Sequence, residues 1–198
     1  MAFVGLMYSL FAPIEQEIDG QPVKYKADAA VEVGQMIGAD ITFNRDSNSL
    51  YANDAEAESD NSITGGTLTI NVDDIEEDAE VVILGTKMKT EEDLKIYQEI
   101  GSPSPYGGFG YVRVRRKKGV TSYQALWIHK TQLGIATESA ATKGQSISWQ
   151  TPSLTGPIMA VRNDPDMENH FRDKVVFKTA AEAIAWVQKR GGYTPKAA

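Results

Sequence analysis

The sequence predicts a mainly β protein: an antiparallel β-sandwich with one short flanking α-helix and a second α-helix near the C-terminus. Apolar and polar residues alternate over 67–72, which is the pattern of a strand with one buried face. A Lys-Lys-Gly turn separates two apolar segments, as in a β-hairpin. Only two segments carry apolar residues at helical spacing. The 198 residues show no repeat and no linker, so we predict a single domain over 1–198, with 164–198 as a C-terminal extension.

The N-terminal segment is predicted to be a strand. The first 14 residues are largely apolar, but no Lys or Arg precedes Lys24, whereas a signal peptide begins with positive charge. No apolar run approaches the roughly 18 residues of a membrane span. In the later strand over 67–72, the buried face carries Leu68, Ile70 and Val72.

A short helix is predicted to begin at Asp74 and to end at Gly85. Asp74 is a suitable N-cap, carboxylates follow in the first turn, and Gly85 stops the helix. Apolar residues recur at helical spacing from Ile75 through Ala79 to Ile83. This apolar side is expected to pack on a sheet.

The next elements form a predicted β-hairpin, because 117–119 reads Lys-Lys-Gly between two apolar segments. In the second strand, over 120–130, Leu126 and Ile128 face one way and Trp127 faces the other. A strand that is apolar on both sides is expected to have a packing partner on each side.

The stretch 142–156 reads as a strand interrupted by Gln-Thr-Pro and followed by a turn at Gly156. Pro152 has no amide hydrogen to donate to a neighbouring strand, so the segment suits an exposed or edge position.

The C-terminal helix is the best-marked element. Thr179 and Glu182 have the spacing of a capping box, and Gly191-Gly192 follows the last turn. One face of this helix is predicted to cover a sheet, without a chemical role, and to consist of Ala183, Trp186, Val187 and Arg190, with Ile184 at its margin.

Charge is divided unevenly along the chain. Residues 1–100 carry 21 Asp and Glu against 6 Lys and Arg, and residues 101–198 carry 6 against 14, giving −15 and +8. If the halves occupy different faces of the subunit, neighbouring copies attract each other head to tail. If the charges interleave in space, they contribute only solubility. The absence of cysteine excludes disulfides and suits a reducing cytoplasm.

Few residues carry a catalytic or metal-binding pattern. The acidic residues at 54, 56, 58 and 60 alternate like cation ligands, but the Gly and Glu that an EF-hand loop requires are absent, which favours a solvated loop. His129 and His170 lack a ligand partner at metal spacing, and no nucleophile elbow or phosphate loop occurs. We predict no enzyme activity, no metal and no cofactor. The five basic residues over 113–118 favour a soluble strand edge over a nucleic-acid site.

Several segments occur in the order and spacing of one known family. They are 5–13, 50–54, 65–70 with the apolar segment that closes on 84–85, 108–111, 127–133 and the Thr-Lys-Gly and Trp-Gln-Thr-Pro-x-Leu-x-Gly segments of 142–156. Together they resemble the major tail protein family of bacteriophages with long non-contractile tails, which forms the tail tube. Asn53 stands where that family more usually has Asp, and the residues after Asn163 have no counterpart.

The resemblance implies a tail-tube fold in which six subunits form a ring and the rings stack. Each subunit then contributes about four strands to a continuous inner barrel. About 24 strands at ~4.8 Å spacing and ~40° tilt give a backbone diameter of roughly 48 Å, and a lumen wider than duplex DNA. An acidic lumen repels phosphates, so DNA passes without specific binding.

The resemblance also implies the partners and their contacts. The partners are further copies of the chain, a tape measure protein, a tail terminator and a distal tail protein, with no membrane, in a virion tail assembled in the host bacterial cytoplasm. The arm over 44–61 is expected to be mobile in the monomer and to reach the adjacent ring through Asn44, Asp46, Tyr51, Asn53, Asp54, Glu56, Glu58 and Asp60. Strand contacts are expected at Trp127, His129, Lys130, Trp149, Gln150, Thr151 and Pro152.

Two other classes of function remain open from the residues. A β-sandwich carbohydrate-binding module needs an exposed aromatic platform, for which Tyr106, Phe109 and Tyr111 are candidates. A hydrolase on a β scaffold needs a base, for which His129 or His170 is the candidate.

Overall fold

The computed structural model describes residues 2–52, 55–92, 94–137, 142 and 151–195. This part of the chain is mainly β, with antiparallel pairing and two helices, which confirms the predicted fold class. The strands are β1 (Ala2–Gln16), β2 (Lys24–Tyr25), β3 (Val31–Glu32), β4 (Met36–Arg45), β5 (Asn48–Ala52), β6 (Ala55–Asp60), β7 (Ile63–Val72), β8 (Lys87–Glu91), β9 (Leu94–Gln98), β10 (Gly107–Lys117), β11 (Val120–Thr131), β12 (Gly134–Thr137), β13 (Ser153–Met159) and β14 (Arg172–Phe177). The helices are α1 (Glu77–Leu84) and α2 (Ala180–Gly191).

Ten strands form one antiparallel sheet that folds into two layers. The first layer, sheet 1, has the order β1-β10-β11-β14, and the second, sheet 2, has the order β4-β7-β13-β12. The layers join where the end of β11, at Lys130 and Thr131, pairs with β13. Short strands β2 and β3 pair with β1.

The main core lies between the two sheets. Strand β7 alternates as predicted, with Leu68, Ile70 and Val72 fully buried. Opposite them, sheet 1 contributes buried side chains that include Phe109, Leu126 and Ile128. Helix α1 adds Ala79 and Ile83 to the same core.

A second core lies between sheet 1 and α2. It contains Val112 of β10, Trp127 of β11 and Val187 of α2, so β11 is buried on both faces as its sequence predicts. A side-chain carbon at Gly110 would overlap the Trp127 ring and approach Val187. Glycine at that position therefore lets the helix and the indole lie close to the sheet.

The predicted hairpin between β10 and β11 is confirmed, including its turn. Lys117 pairs with Val120, and the two residues between them, Lys118 and Gly119, have φ values of 49° and 80°. Positive φ at both central positions is typical of the two-residue type I′ turn, which matches the twist of the strands.

Helix α1 begins later than predicted. Its N-cap is Glu76, which makes no side-chain cap hydrogen bond, and Gly85 ends it in the left-handed conformation as expected. Asp74 does not cap the helix, because its carboxylate accepts from the adjacent backbone N–H of Ile75. Asp73 accepts from the backbone N–H of Gln35, which anchors this turn to the residue just before β4 and delays the helix.

Helix α2 has the predicted capping box between Thr179 and Glu182. Its predicted inner face is partly wrong: Ala183 and Val187 are buried, but Arg190 is exposed and Trp186 only half-buried. Gly191 completes the buried row instead, because a side-chain carbon there would lie 2.7 Å from Leu10.

The predicted turn at Gly156 is also wrong. Gly156 lies within β13, paired with Leu68 of β7, and a side-chain carbon there would overlap the carbonyl oxygen of Gln132. Glycine is needed for this close approach rather than for a turn. Pro152 precedes β13 and its carbonyl accepts from the N–H of Val72, while 143–150 lie outside the described residues.

Two hairpins form separate two-stranded sheets. Strands β5 and β6 pair with each other between β4 and β7 in the chain, and β8 pairs with β9 after α1.

Candidate assembly surfaces

The outer face of sheet 2 is polar, and neither of the two helices in the described part of the chain covers it. In β4 from Gly38, in β7 and in β13 up to Pro157, every second residue points away from the main core, because it alternates with a residue that faces the core. The hydroxyls of Thr69 and Thr155 lie 3.2 Å apart, and Thr155 also donates to the carbonyl of Leu68. The face consists of Asp40, Thr42, Thr67, Thr69, Asn71, Ser153 and Thr155. These seven side chains include no cation.

Sheet edges are open on both layers. Among the described strands, β4 pairs only with β7, and β14 pairs only with β11. Each edge therefore presents one row of backbone donors and acceptors, which is a template for pairing with another chain. The exposed apolar side chains Ile37 and Val176 lie on these strands.

The predicted arm is a β-ribbon. Strands β5 and β6 follow β4 and precede β7, and the turn at its base is tied by the N–H of Asp46, which donates to the carbonyl of Ser62. Asn44 is the penultimate residue of β4, and its carbonyl accepts from the Thr64 hydroxyl. The backbones of Tyr51, Glu56, Glu58 and Asp60 lie in the ribbon strands, and Asn53 and Asp54 lie outside the described residues.

The second hairpin, β8 with β9, exposes several large apolar side chains. Leu94 is 68% exposed and Met88 is 49% exposed, and Ile96 is also exposed. This hairpin was not predicted, because β8 contains a single apolar residue, Met88, and β9 is too short for its alternation to stand out. Its apolar surface is available to a neighbouring molecule.

The strand residues predicted as contacts separate into buried and exposed groups. Trp127 is fully buried and His129 is 3% exposed, so both lie inside the subunit rather than on its surface. Lys130 pairs with Glu17 at 2.5 Å. Thr151 is exposed and Pro152 half-buried, whereas Trp149 and Gln150 lie outside the described residues.

A groove of about 400 Å³ lies beside Trp127 and His129, bordered by the end of α2. His129 Nε2 lies 3.3 Å from Asp173 Oδ1, and Arg190 contacts the other Asp173 oxygen at 2.9 Å. The His129 side chain is the main cause that holds the pKa of Asp173 below its usual value, and Arg190 adds to it.

His129, one of the two candidate hydrolase bases, lines this groove together with other described residues. Its lining contains one hydroxyl, that of Tyr25, which donates to the backbone carbonyl of His129 and accepts from Trp127 Nε1. Burial raises the pKa of Tyr25, which opposes its ionisation. His170, the other predicted base, lies 2.6 Å from Asp164 near the surface.

The three candidate residues do not form the exposed aromatic platform that a carbohydrate-binding module needs. Phe109 and Tyr111 are buried in the main core, and only Tyr106 is exposed. A single exposed ring next to Lys130 does not form a platform.

Cations from two distant segments meet on sheet 1. Arg113 of β10 lies over the ring of Phe3, with its guanidinium carbon 3.7 Å from the ring centre, and donates to Gln124 at 2.9 Å. Arg172 and Lys174 of β14 lie nearby. The charge of Arg172 is the main cause that lowers the pKa of Lys174, and Arg113 contributes. The basic run over 113–118 contains only one of these three cations, Arg113.

Within the described part of the chain, no group of three or more His, Asp or Glu side chains is arranged to hold a metal ion. No helix among those residues is long and apolar enough to cross a membrane. The chain matches no protein-family model, and no curated protein matches it.

Proposed function

We propose that this protein is a structural subunit that assembles with copies of itself into hexameric rings, and that the rings stack into the tail tube of a bacteriophage. The observation that carries the proposal is the arrangement of sheet 2 among the described residues. One face of the sheet packs on the main core, the seven side chains named above on the other face include no cation, and the β4 edge is open. A subunit with these three features can join its neighbours into a closed barrel whose inner face is the uncovered face of sheet 2.

The polar face suits a conduit for DNA. Proteins bind the phosphate backbone of DNA through Lys and Arg, and a surface whose side chains include no cation lacks that attraction. The hydroxyls of Thr42, Thr67 and Thr69 keep the wall hydrated, and Asp40 adds a negative charge. DNA would therefore pass along this surface without being held.

The open edge supports lateral assembly. Strand β4 is ten residues long, and a free edge of that length in a monomer invites uncontrolled pairing. Closure of a barrel pairs the edge and removes the hazard. The two hairpins then serve as contacts outside the barrel, with the β5/β6 ribbon as the arm to the next ring. The tape measure protein, tail terminator and distal tail protein follow as partners from the family resemblance.

Electron microscopy of the purified protein, with light scattering over a range of concentration and salt, tests the proposal. We expect rings with a central pore, and tubes at high concentration. Ile37→Lys places a charge at the exposed β4 edge and should abolish rings, whereas Met167→Lys, at an exposed loop position, should leave them intact. A protein that stays monomeric at millimolar concentration at every salt tested would refute the proposal.

The arm gives a second readout of the same assembly. Trypsin cannot be used, because 46–62 contains no Lys or Arg, but a protease specific for Glu has sites at Glu56 and Glu58. We expect cleavage there in the monomer and protection in the assembled particle. Equal cleavage of both forms would contradict the assignment of the arm.

A further inference from the structure

The groove beside the end of α2 has the size of a small-molecule site. Its volume is about 400 Å³, and ligand pockets in proteins occupy roughly 300–1,000 Å³. It lies between β11, the segment that leads into β2 and the last turn of α2. Trp127, which lines it, belongs to the core between sheet 1 and α2. The groove therefore lies on the side of sheet 1 that is turned away from sheet 2.

The aromatic floor of the groove is fixed by contacts within the subunit. The Tyr25 hydroxyl donates to the carbonyl of His129 and accepts from Trp127 Nε1, both at 2.9 Å. The rings of Tyr25 and Trp127 meet edge to face, with their centres 5.1 Å apart. A side-chain carbon at Gly108 would overlap both rings, so glycine lets them lie close to β10. The floor thus offers ring surface to a ligand, in an arrangement that exists before binding.

Two cations border the groove, and its lining residues, all in the described part of the chain, include no carboxylate. Lys189 is exposed and forms no ion pair with a described residue. Arg190 uses Nη2 for Asp173, at 2.9 Å, and has further N–H groups that can donate. Because Asp173 can offset only one of the two cations, this border has an excess of positive charge that an anion can neutralise.

Apolar surface adjoins these cations. Trp186 is half-buried, and the guanidinium carbon of Arg190 lies 5.2 Å from the centre of its ring. Pro22 and Val23 add aliphatic surface. A flat ring packs well against indole rings and against planar guanidinium groups. Cations in the last turn of a helix also interact favourably with its dipole, but that interaction does not need an aromatic groove next to them.

We propose that this groove binds a small organic anion in which a flat ring carries a carboxylate or a phosphate. The ring packs against Trp186 and the aromatic floor, and the anionic group contacts Lys189 and Arg190. An aromatic carboxylate and a nucleoside monophosphate share this chemistry. The site goes beyond the proposed function, because the pore wall and the open β4 edge belong to sheet 2.

An NMR titration of the unaltered chain, in dilute solution, tests the site through the indole N–H signals of its three Trp residues. The probes are benzoate and adenosine monophosphate, with benzamide and adenosine as ring controls without the anion, and inorganic phosphate as the anion without a ring. We expect benzoate or adenosine monophosphate to shift the Trp186 signal and to saturate with a Kd below about 1 mM. The three controls should bind at least about tenfold more weakly. Saturation by only one of the two anionic probes identifies which kind of ligand the groove takes.

Matched variants assign the two parts of the site. Lys189→Gln removes the unpaired charge and should weaken binding of the anionic probe about tenfold. Lys178→Gln makes the same change at an exposed position outside the groove and should leave the Kd unchanged. Trp186→Ala removes ring surface and should also weaken binding about tenfold. If that protein fails to fold, as judged by circular dichroism, Trp186→Leu keeps apolar bulk without the ring and should weaken binding several-fold.

Each of four results would overturn the proposal. No probe could saturate up to about 10 mM, or the neutral controls could bind as tightly as the anionic probes. Lys189→Gln and Lys178→Gln could have equal effects, or the Trp186 variants could bind as the unaltered protein does. The titration does not require assembly, so its failure refutes only this site. An unaltered protein without rings or tubes refutes only the proposed function.

Discussion

Sheet 1 and sheet 2 share one core but differ in what covers their other faces. Sheet 1 has the main core on one side and α2 on the other, so Leu126 and Trp127, adjacent in β11, are both fully buried. Sheet 2 has the main core on one side and, on the other, hydroxyl and amide side chains with the carboxylate of Asp40. Among the described residues, sheet 1 is therefore buried on both faces, whereas sheet 2 is buried only on the face that it turns to the main core.

The comparison predicts that the stability of the subunit depends on the packing of α2 against sheet 1. Trp127→Ala should lower the free energy of unfolding by about 3–5 kcal/mol, because the indole is fully buried between the sheet and α2 and donates to Tyr25. Chemical denaturation measures this. A loss below about 1 kcal/mol would mean that α2 does not stabilise the sheet.

Trp186 sharpens the same prediction. It lies one residue before the buried Val187 but is only half-buried, with Arg190 over its ring at 5.2 Å. Trp186→Ala should therefore cost about 1–2 kcal/mol, clearly less than the Trp127 change. Equal losses at the two positions would show that the helix packs with Trp186 facing inward. An unchanged Tm combined with lost assembly would make α2 a contact between subunits.

The stability that the Asp173 carboxylate contributes depends on pH, and this dependence tests the contacts between sheet 1 and α2. Because its pKa is lowered in the folded state, Asp173 stabilises the protein above its unfolded pKa, near 4, and that contribution is lost as pH falls through the folded pKa. Asp173→Asn should cost roughly 1–2 kcal/mol at pH 7, because the carboxylate lies beside the buried His129. Thermal melts should show the two proteins converging below pH 4, and a constant difference down to pH 2 would contradict the assignment.

The smallest effect is expected on the outer face of sheet 2. Thr67→Ser removes one exposed methyl group from a side chain that contributes nothing to the core, so the free energy of unfolding should change by less than about 0.5 kcal/mol. Thr69 is the stricter test, since its hydroxyl pairs with that of Thr155. Thr69→Val should cost no more than about 1 kcal/mol. Larger losses would indicate that this face is packed within the subunit.

The local elements were predictable because their signals lie within a few residues. The capping box of Thr179 and Glu182, the turn at Lys118-Gly119 and the alternation over 67–72 each contain the interaction that forms them. Helix α1 was placed too early, since Asp73 is held by Gln35, 38 residues away in the chain. The carboxylates of that turn give no sign of this contact in sequence.

The candidate surfaces were less predictable, because they combine segments that are distant in the chain. Arg113 and Lys174 belong to strands on either side of β11, and only the pairing of β10, β11 and β14 brings them to one face. Trp127 was assigned to a contact between copies from its family position, but the glycine at 110 and α2 enclose it within the subunit.

The central claim, that the uncovered face of sheet 2 lines a closed pore, has one direct test. The chain contains no cysteine, so Thr67→Cys and Ala181→Cys each introduce a single thiol, on the outer face of sheet 2 and on the exposed side of α2. Labelling is followed with a polymer-linked maleimide too large to enter a pore of a few nanometres, before and after assembly. We expect both thiols to react in the monomer and only the α2 thiol to react at the same rate in the assembled particle. If the thiol at position 67 stays equally reactive in assembled particles, this face does not line the pore and the account is wrong.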